Sequence, residues 1–279
     1  MRISHFSRQV RYEATPLKHK PKLGQNFLVD PAACMAIAQA LGDLSQHTVV
    51  EIGPGAGAIT EILAPRARRL IAIELDRDLA PRLREQFSAQ PSVEILQADV
   101  LTVDFDSLRE STNDPLMVIG NLPYYITSDI LLRLFRFHAA IARAVLMVQR
   151  EVADRIAAVP GTRDYGLLSA TAQLYARVER VLTLPPTAFM PPPEVHSTVL
   201  RLEMHPRFEE LGVEAEPFFA FLKQSFAQKR KTLAKNLRAA GFEAGRITQA
   251  IASAGVSPMA RAEELGLESM AQIWQQLRR

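Results

Sequence analysis

Five short apolar runs recur through the first 150 residues, each closed by a polar residue or a glycine and most followed by a stretch with helical spacing. Thr48-Val49-Val50-Glu51-Ile52 predicts a strand running into Gly53-Pro54-Gly55-Ala56-Gly57, with a helix from about Ile59. Residues 70–73 predict a second strand closed by Glu74, 93–96 a third ending near Asp99, 116–120 a fourth and 144–148 a fifth. Helices are expected over 79–87 and 128–137. Ahead of them, Asp30-Pro31 reads as an N-cap with proline at the first helical position, starting a helix that continues to about Leu41. Strands alternating with helices at this spacing predict an α/β fold with a doubly wound, mostly parallel sheet. The polar features after strands one to four then lie on one edge of that sheet, where open α/β folds bind ligands.

Beyond Glu151 the alternation loosens. Pro185, Pro186, Pro191, Pro192 and Pro193 mark a shaped loop, and 198–202 predict one more strand. A boundary near His205-Pro206 is expected, followed by a helical region with stops near Gly241, Gly255-Val256-Ser257-Pro258 and Gly266. The organisation expected is a basic tail over 1–22, an α/β domain over 23–205 and a small helical domain over 206–279.

Composition narrows the chemistry. The 279 residues carry a net charge of +3, so the distribution of charge matters more than its total. Cys34 is the only cysteine, which excludes an internal disulfide and any cysteine-cluster metal site, and the six histidines are scattered. No metal is expected. No apolar run approaches the roughly 18 residues that span a bilayer, and a cytoplasmic location is expected. Arg2, Arg8, Arg11, Lys18, Lys20 and Lys22 face only Glu13 in the N-terminal stretch, which has no apolar segment of a secretory signal.

Glycines at 53, 55 and 57 after a strand let a ligand approach the backbone. Glu74, at the next strand end, stands where an acid accepts ribose hydroxyls in nucleotide-binding folds, and Asp99, at the third, can accept the amino group of an adenine. Together they point to an adenosine-containing cofactor. The loop is Gly-x-Gly-x-Gly, which does not satisfy the dinucleotide pattern, and no histidine stands at a strand end to donate a proton to a dehydrogenase substrate. Methyl transfer to an amine needs no strong base before attack, which favours S-adenosylmethionine over NAD. The fourth strand ends in Asn121-Leu122-Pro123-Tyr124. An amide oxygen, a backbone carbonyl and an aromatic face there form a site for a flat molecule bearing an amino group.

These motifs occur in one order: Gly24-Gln25-Asn26-Phe27-Leu28, Glu51-Ile52-Gly53-Pro54-Gly55-Ala56-Gly57, Glu74-Leu75-Asp76, Asp99, Asn121-Leu122-Pro123-Tyr124, Gln149-Arg150-Glu151, Phe189-Met190-Pro191-Pro192-Pro193-Glu194-Val195-His196-Ser197 and Arg261-Ala262-Glu263-Glu264-Leu265. In this the chain resembles the ribosomal RNA adenine dimethyltransferases, specifically the bacterial small-subunit (16S) branch, from about Leu23 to near the C-terminus. The resemblance implies a Rossmann-like class I methyltransferase with S-adenosylmethionine as cofactor. It implies as substrate two adjacent adenosines in a 3′-terminal hairpin of 16S rRNA, each methylated twice on N6 late in subunit assembly. By motif, Gln25, Asn26 and Leu28 would close over the cofactor, Gly53 and Gly55 would approach it, and Asn121 would lie between cofactor and target. Asn121, Leu122, Pro123 and Tyr124 would hold the target base, with Phe189 covering its other side. Lys223, Lys229, Arg230, Lys231, Lys235 and Arg238, with no acid between Pro217 and Phe242, are the expected phosphate contacts. A monomer is expected.

Two departures stand out. Tyr125 and Thr127 occupy places where the small-subunit enzymes commonly have Asn and Ser, and Phe226-Ala227-Gln228-Lys229-Arg230-Lys231 has Lys where two successive arginines are usual, which keeps the charge but loses a fork-shaped donor. The rival readings are a DNA amino-methyltransferase, a large-subunit RNA methylase and a non-catalytic RNA-binding assembly factor.

Overall fold

A computed structural model describes residues 26–278. In chain order the elements are β1 (Phe27–Leu28), α1 (Pro31–Ala40), β2 (Thr48–Ile52), α2 (Thr60–Leu63), β3 (Arg69–Glu74), α3 (Leu79–Gln86), β4 (Val93–Gln97), β5 (Leu116–Asn121), α4 (Thr127–Arg136) and β6 (Ile141–Gln149). There follow α5 (Arg150–Ile156), α6 (Leu167–Tyr175), β7 (Ala176–Leu184), β8 (Phe189–Met190) and β9 (Ser197–Met204). The last five helices are α7 (Phe208–Leu211), α8 (Ala215–Ser225), α9 (Leu233–Ala239), α10 (Ala244–Ser253) and α11 (Leu267–Arg278).

Seven strands form one sheet in the order β4-β3-β2-β5-β6-β9-β7. The first five in that order run parallel, β9 adds antiparallel to β6, and β7 adds antiparallel to β9 at the edge. All five residues of β2 are buried, which is what a central parallel strand covered on both faces requires. The Asp30 carboxylate accepts the amides of Ala32 and Ala33 at 2.9 and 3.1 Å, capping α1 as the sequence predicts. Strand order reverses between β2 and β5, so the loops leaving these neighbours diverge to opposite faces and open a crevice at their C-terminal ends.

Where β2 and β5 lie side by side, Gly120 leaves no room for a side chain. A Cβ there would sit 2.8 Å from the Ile52 carbonyl oxygen, which is backbone and cannot swing aside. Gly120→Ala is expected to destabilise the fold by about 1–3 kcal/mol, the usual cost of overpacking. An unchanged melting temperature in thermal unfolding would contradict this.

Five elements were invisible to the hydrophobic pattern. Strand β7 carries exposed Arg177, Glu179 and Arg180, and its register shifts between Arg180 and Leu182, so strict alternation is broken. Its charges are paired: Arg201 of β9 with Glu179, and Arg180 with Asp154 at 2.6 Å. Helices α5 and α6 are short, and β1 and β8 contribute two residues each to a separate antiparallel pair.

The helices after β9 do not have a separate core. Phe218, Phe221, Leu237 and Ile273 belong to one buried cluster with Tyr165, Leu174 and the sheet residues Val118 and Leu146. Phe226 lies edge-on to Tyr165 at 6.0 Å between ring centres. No helix among the described residues is long and apolar enough to cross a membrane.

Candidate active site

The crevice at the sheet reversal is a cleft of about 270 Å³. Its floor is the turn after β2. The Gly53 amide donates to the Ile73 carbonyl at 3.0 Å, tying the turn to β3. Gly53 and Gly55 have φ of 67° and 59°, a conformation that disfavours side chains. Gly55 is needed for space as well, because a Cβ there would lie 2.9 Å from the Phe27 ring. Phe27 of β1 thus closes one wall, held by pairing of β1 with β8.

Three carboxylates face or underlie this turn. Glu74 is 3% exposed. Its two oxygens accept the amides of Gly55 at 3.2 Å and Asp76 at 2.9 Å. Burial raises its pKa, and these two amide bonds oppose the rise. Asp99 is half-buried in the lining, with Oδ1 accepting the Leu101 amide at 2.9 Å. The third is Glu51, 2% exposed within β2, accepting a hydrogen bond from the Thr60 hydroxyl at 2.7 Å. Burial pushes its carboxyl up to about 7; the Thr60 bond pulls it down and neighbouring Glu74 adds to the rise.

The turn after β5 supplies the other side. Asn121 Nδ2 donates to the Asn26 carbonyl at 3.1 Å, a bond that fixes the amide and keeps Oδ1 as a free acceptor. The Leu122 amide donates to the Met147 carbonyl at 3.0 Å, and among the described residues nothing donates to the Leu122 carbonyl. Pro123 has no amide to compete. The Pro123 carbonyl is occupied by the Thr127 hydroxyl at 3.0 Å and the Ile126 amide at 3.2 Å. A serine hydroxyl could make the same bond to Pro123, so the Thr127 departure keeps the turn's chemistry. Tyr124 lines the cleft with its hydroxyl 2.9 Å from Ser197 Oγ at the start of β9, which pins the ring from its far end. Tyr125 also lines the cleft but is 63% exposed.

The structure therefore gathers Asn26, Leu28, Gly53, Gly55, Glu74, Asp99, Asn121, Leu122, Pro123 and Tyr124 around one cleft. Gln25 and the basic stretch over 1–22 lie outside the described residues. Phe189 is corrected: it was expected over the base, but it is 2% exposed, absent from the lining and packed in the core with Leu28, Met147 and Val199. Its pairing opposite Leu28 turns the ring inward and leaves Met190 exposed instead.

Lys223, Lys229, Arg230, Lys231, Lys235 and Arg238 are all exposed, away from the cleft lining. Lys223 lies on α8, the next three in the connection to α9, and the last two on α9. Lys229 Nζ donates to the Arg163 carbonyl at 2.5 Å and is 3.9 Å from Glu263. Sequence reasoning missed Glu51, Phe27 and Ser197 as parts of the site. Glu51 was detectable as an acid inside an otherwise apolar central strand, the costliest place to bury one without a purpose.

Residues 17–279 match the family described as Ribosomal RNA adenine dimethylase. Among curated proteins, the Ribosomal RNA small subunit methyltransferase A of Acidobacterium capsulatum is 64% identical over 260 residues, 93% of this chain and 92% of the relative. That of Koribacter versatilis is 55% identical over 271 residues, 93% of this chain and 95% of the relative. Among solved structures, a dimethyladenosine transferase from Plasmodium falciparum superposes with a TM-score of 0.73 at 21% identity, over 88% of this chain and 95% of that one. The 23S rRNA methyltransferase ErmE gives 0.68 at 28% identity, over 91% and 100%. With a match across nearly its whole length and such identity to curated relatives, the chain belongs to the ribosomal RNA adenine dimethylase family.

Proposed function

We propose that the cleft binds S-adenosylmethionine and presents its methyl to N6 of an adenine extruded from small-subunit ribosomal RNA. The residues fit that cofactor. The Gly53 and Gly55 turn is a cradle that side chains would fill, Glu74 stands where ribose hydroxyls need an acceptor, and Asp99 keeps one carboxylate oxygen for an adenine amino group. When bound, the cofactor supplies an electrophilic methyl on a sulfonium.

One observation carries the reading: Asn121 and Leu122 offer two adjacent acceptors, one fixed by Asn26 and the other left open by Pro123. An adenine amino group has two N–H donors and a lone pair delocalised into the ring. Accepting both donors favours a more pyramidal nitrogen and turns the lone pair toward the methyl. Neither acceptor takes the proton, which leaves after the carbon–nitrogen bond has formed. Positioning carries most of the rate enhancement. Tyr124 stacks on the flipped base, worth about 1–3 kcal/mol, comparable to the few kcal/mol needed to unstack it. A second methylation requires the monomethylated nitrogen to keep one donor and fit the same acceptors.

The finer substrate, two adjacent adenosines in a 3′-terminal hairpin of 16S rRNA, is supported by the curated small-subunit relatives. Residues 23–205 are assigned to methyl transfer and 206–279 to the RNA, the latter supported by the run of exposed cations from Lys223 to Arg238. Gln25 is assigned to closure over the cofactor. The protein is proposed to act as a cytoplasmic monomer without a metal; no group of three or more candidate ligands occurs among the described residues.

Labelled S-adenosylmethionine offered with unmethylated small subunits, naked DNA and large-subunit RNA tests the reading. Label is expected in the small-subunit RNA as N6,N6-dimethyladenosine. Label confined to DNA or large-subunit RNA would overturn it, and binding without transfer would favour an assembly factor.

A further inference from the structure

The cations between α8 and α9 are held up by a buried side chain outside the cleft. Asn236, one turn into α9, is 3% exposed. Its Nδ2 donates to the Ser225 carbonyl at 2.7 Å and the Gln228 carbonyl at 3.2 Å. The first belongs to the final residue of α8, where helix carbonyls lack intrahelical partners. The second also accepts the Lys231 amide at 3.0 Å, closing a tight turn with Lys229 and Arg230 as its central residues. One amide therefore ties together the end of α8, the start of α9 and the first corner of a turn whose next three residues are all exposed cations.

Other contacts hold the far side of the same turn. The Thr232 hydroxyl caps α9 by accepting the Lys235 amide at 3.4 Å, and the Leu233 amide donates to the Ala260 carbonyl at 2.8 Å. Without Asn236 the Gln228 corner loses its only side-chain anchor among the described residues. Two to three long cations then have to be ordered when they meet phosphate, and that ordering lowers the affinity.

We propose that Asn236 is a positioning residue for RNA: its buried amide presets the Gln228–Lys231 turn so that Lys229, Arg230 and Lys231 meet the phosphate backbone as a formed set. This rests on the basic run being the RNA-contacting face. It assigns the affinity of that face to a neutral residue that itself touches no RNA.

The test is a double-mutant cycle in the full chain, with Asn236→Ala crossed against Lys229→Ala/Arg230→Ala/Lys231→Ala. Asn236→Leu is a second version that keeps the buried volume. Binding to unmethylated small subunits is measured over a salt series, with S-adenosylmethionine binding and thermal unfolding in parallel. In the wild-type background, either Asn236 variant is expected to weaken subunit binding about tenfold and flatten its salt dependence, leaving cofactor affinity unchanged. In the triple-alanine background the further loss is expected to be less than about twofold, because the cations that Asn236 positions are gone. Equal losses in both backgrounds would make Asn236 a fold residue and overturn the proposal. A triple variant that loses binding while both Asn236 variants retain it would overturn the proposal alone. A triple variant that binds like wild type would remove the basic-face reading and the proposal with it.

Discussion

Asn121→Ala is expected to lower kcat by about 10²–10³-fold, the range seen when one preorganised hydrogen-bonding group is removed from an active site. The Asn121 oxygen is one of two acceptors at the β5 turn, and its orientation is set by Nδ2 donating to the Asn26 carbonyl. Removing the side chain leaves the Leu122 carbonyl to hold one N–H of the target amine and nothing to hold the other. The nitrogen stays flatter, and its lone pair stays in the ring. Because the acceptor acts on the reacting nitrogen, the loss is expected in single-turnover rate at saturating RNA, with KM for RNA changed little. Asn121→Asp separates orientation from acceptance: a carboxylate still accepts but cannot donate to Asn26, so it keeps the acceptor while losing the tether. A rate between those of wild type and alanine is the expected result for Asp. Loss of RNA affinity with an unchanged single-turnover rate would contradict the assignment and make Asn121 a binding residue only.

What could be read from the sequence was set by burial. Strands β2, β3 and β5 are covered on both faces, so their apolar runs are continuous and their ends are marked by the first residue that must meet solvent or ligand. The glycine turn, Glu74 and Asn121 were legible for that reason, each closing such a strand, whereas Asp99 follows the half-exposed edge strand β4 and was legible by its place after a third run. The rest depends on contacts between distant segments. Strand β7 lies at the sheet edge with its charges paired to Asp154 and Arg201, so its composition resembles that of a loop. Phe189 sits in a motif with five neighbouring prolines, and nothing in that motif tells which of Phe189 and Met190 turns inward; pairing with Leu28 decides it. Ser197 is a serine at a strand start until Tyr124 is found against it. Asn236 reads in sequence as an ordinary polar helix residue, and only its burial under two carbonyls distinguishes it.

Glu51→Gln is expected to stabilise the cofactor-free protein at pH 8 while weakening S-adenosylmethionine binding. Glu51 is buried in β2 beneath the glycine turn, and desolvation chiefly, with Glu74 contributing, raises its carboxyl from 4.5 to about 7. An acid whose folded pKa lies above its unfolded value binds more protons when folded. Stability therefore falls as pH rises from about 4.5 through about 7, and the full penalty is present above that window. A shift of this size corresponds to a penalty on the order of 3 kcal/mol. Glutamine is isosteric, can still accept from Thr60 and carries no charge, so the variant should gain stability at pH 8 and little at pH 5. On the proposed function, an anion beneath the cradle favours a ligand carrying a sulfonium and an ammonium, which is the role expected of the Glu51 charge. Wild-type affinity for S-adenosylmethionine is accordingly expected to rise with pH through about 7 and to release part of a proton on binding near neutrality. Titration calorimetry in buffers of different ionisation enthalpy measures that proton. In Glu51→Gln both the proton release and the pH dependence should disappear, and thermal unfolding at pH 5 and pH 8 should show the stability gain only at the higher pH. Proton release undiminished in the variant would assign it to another group, with Glu74, also raised by burial, the first to test.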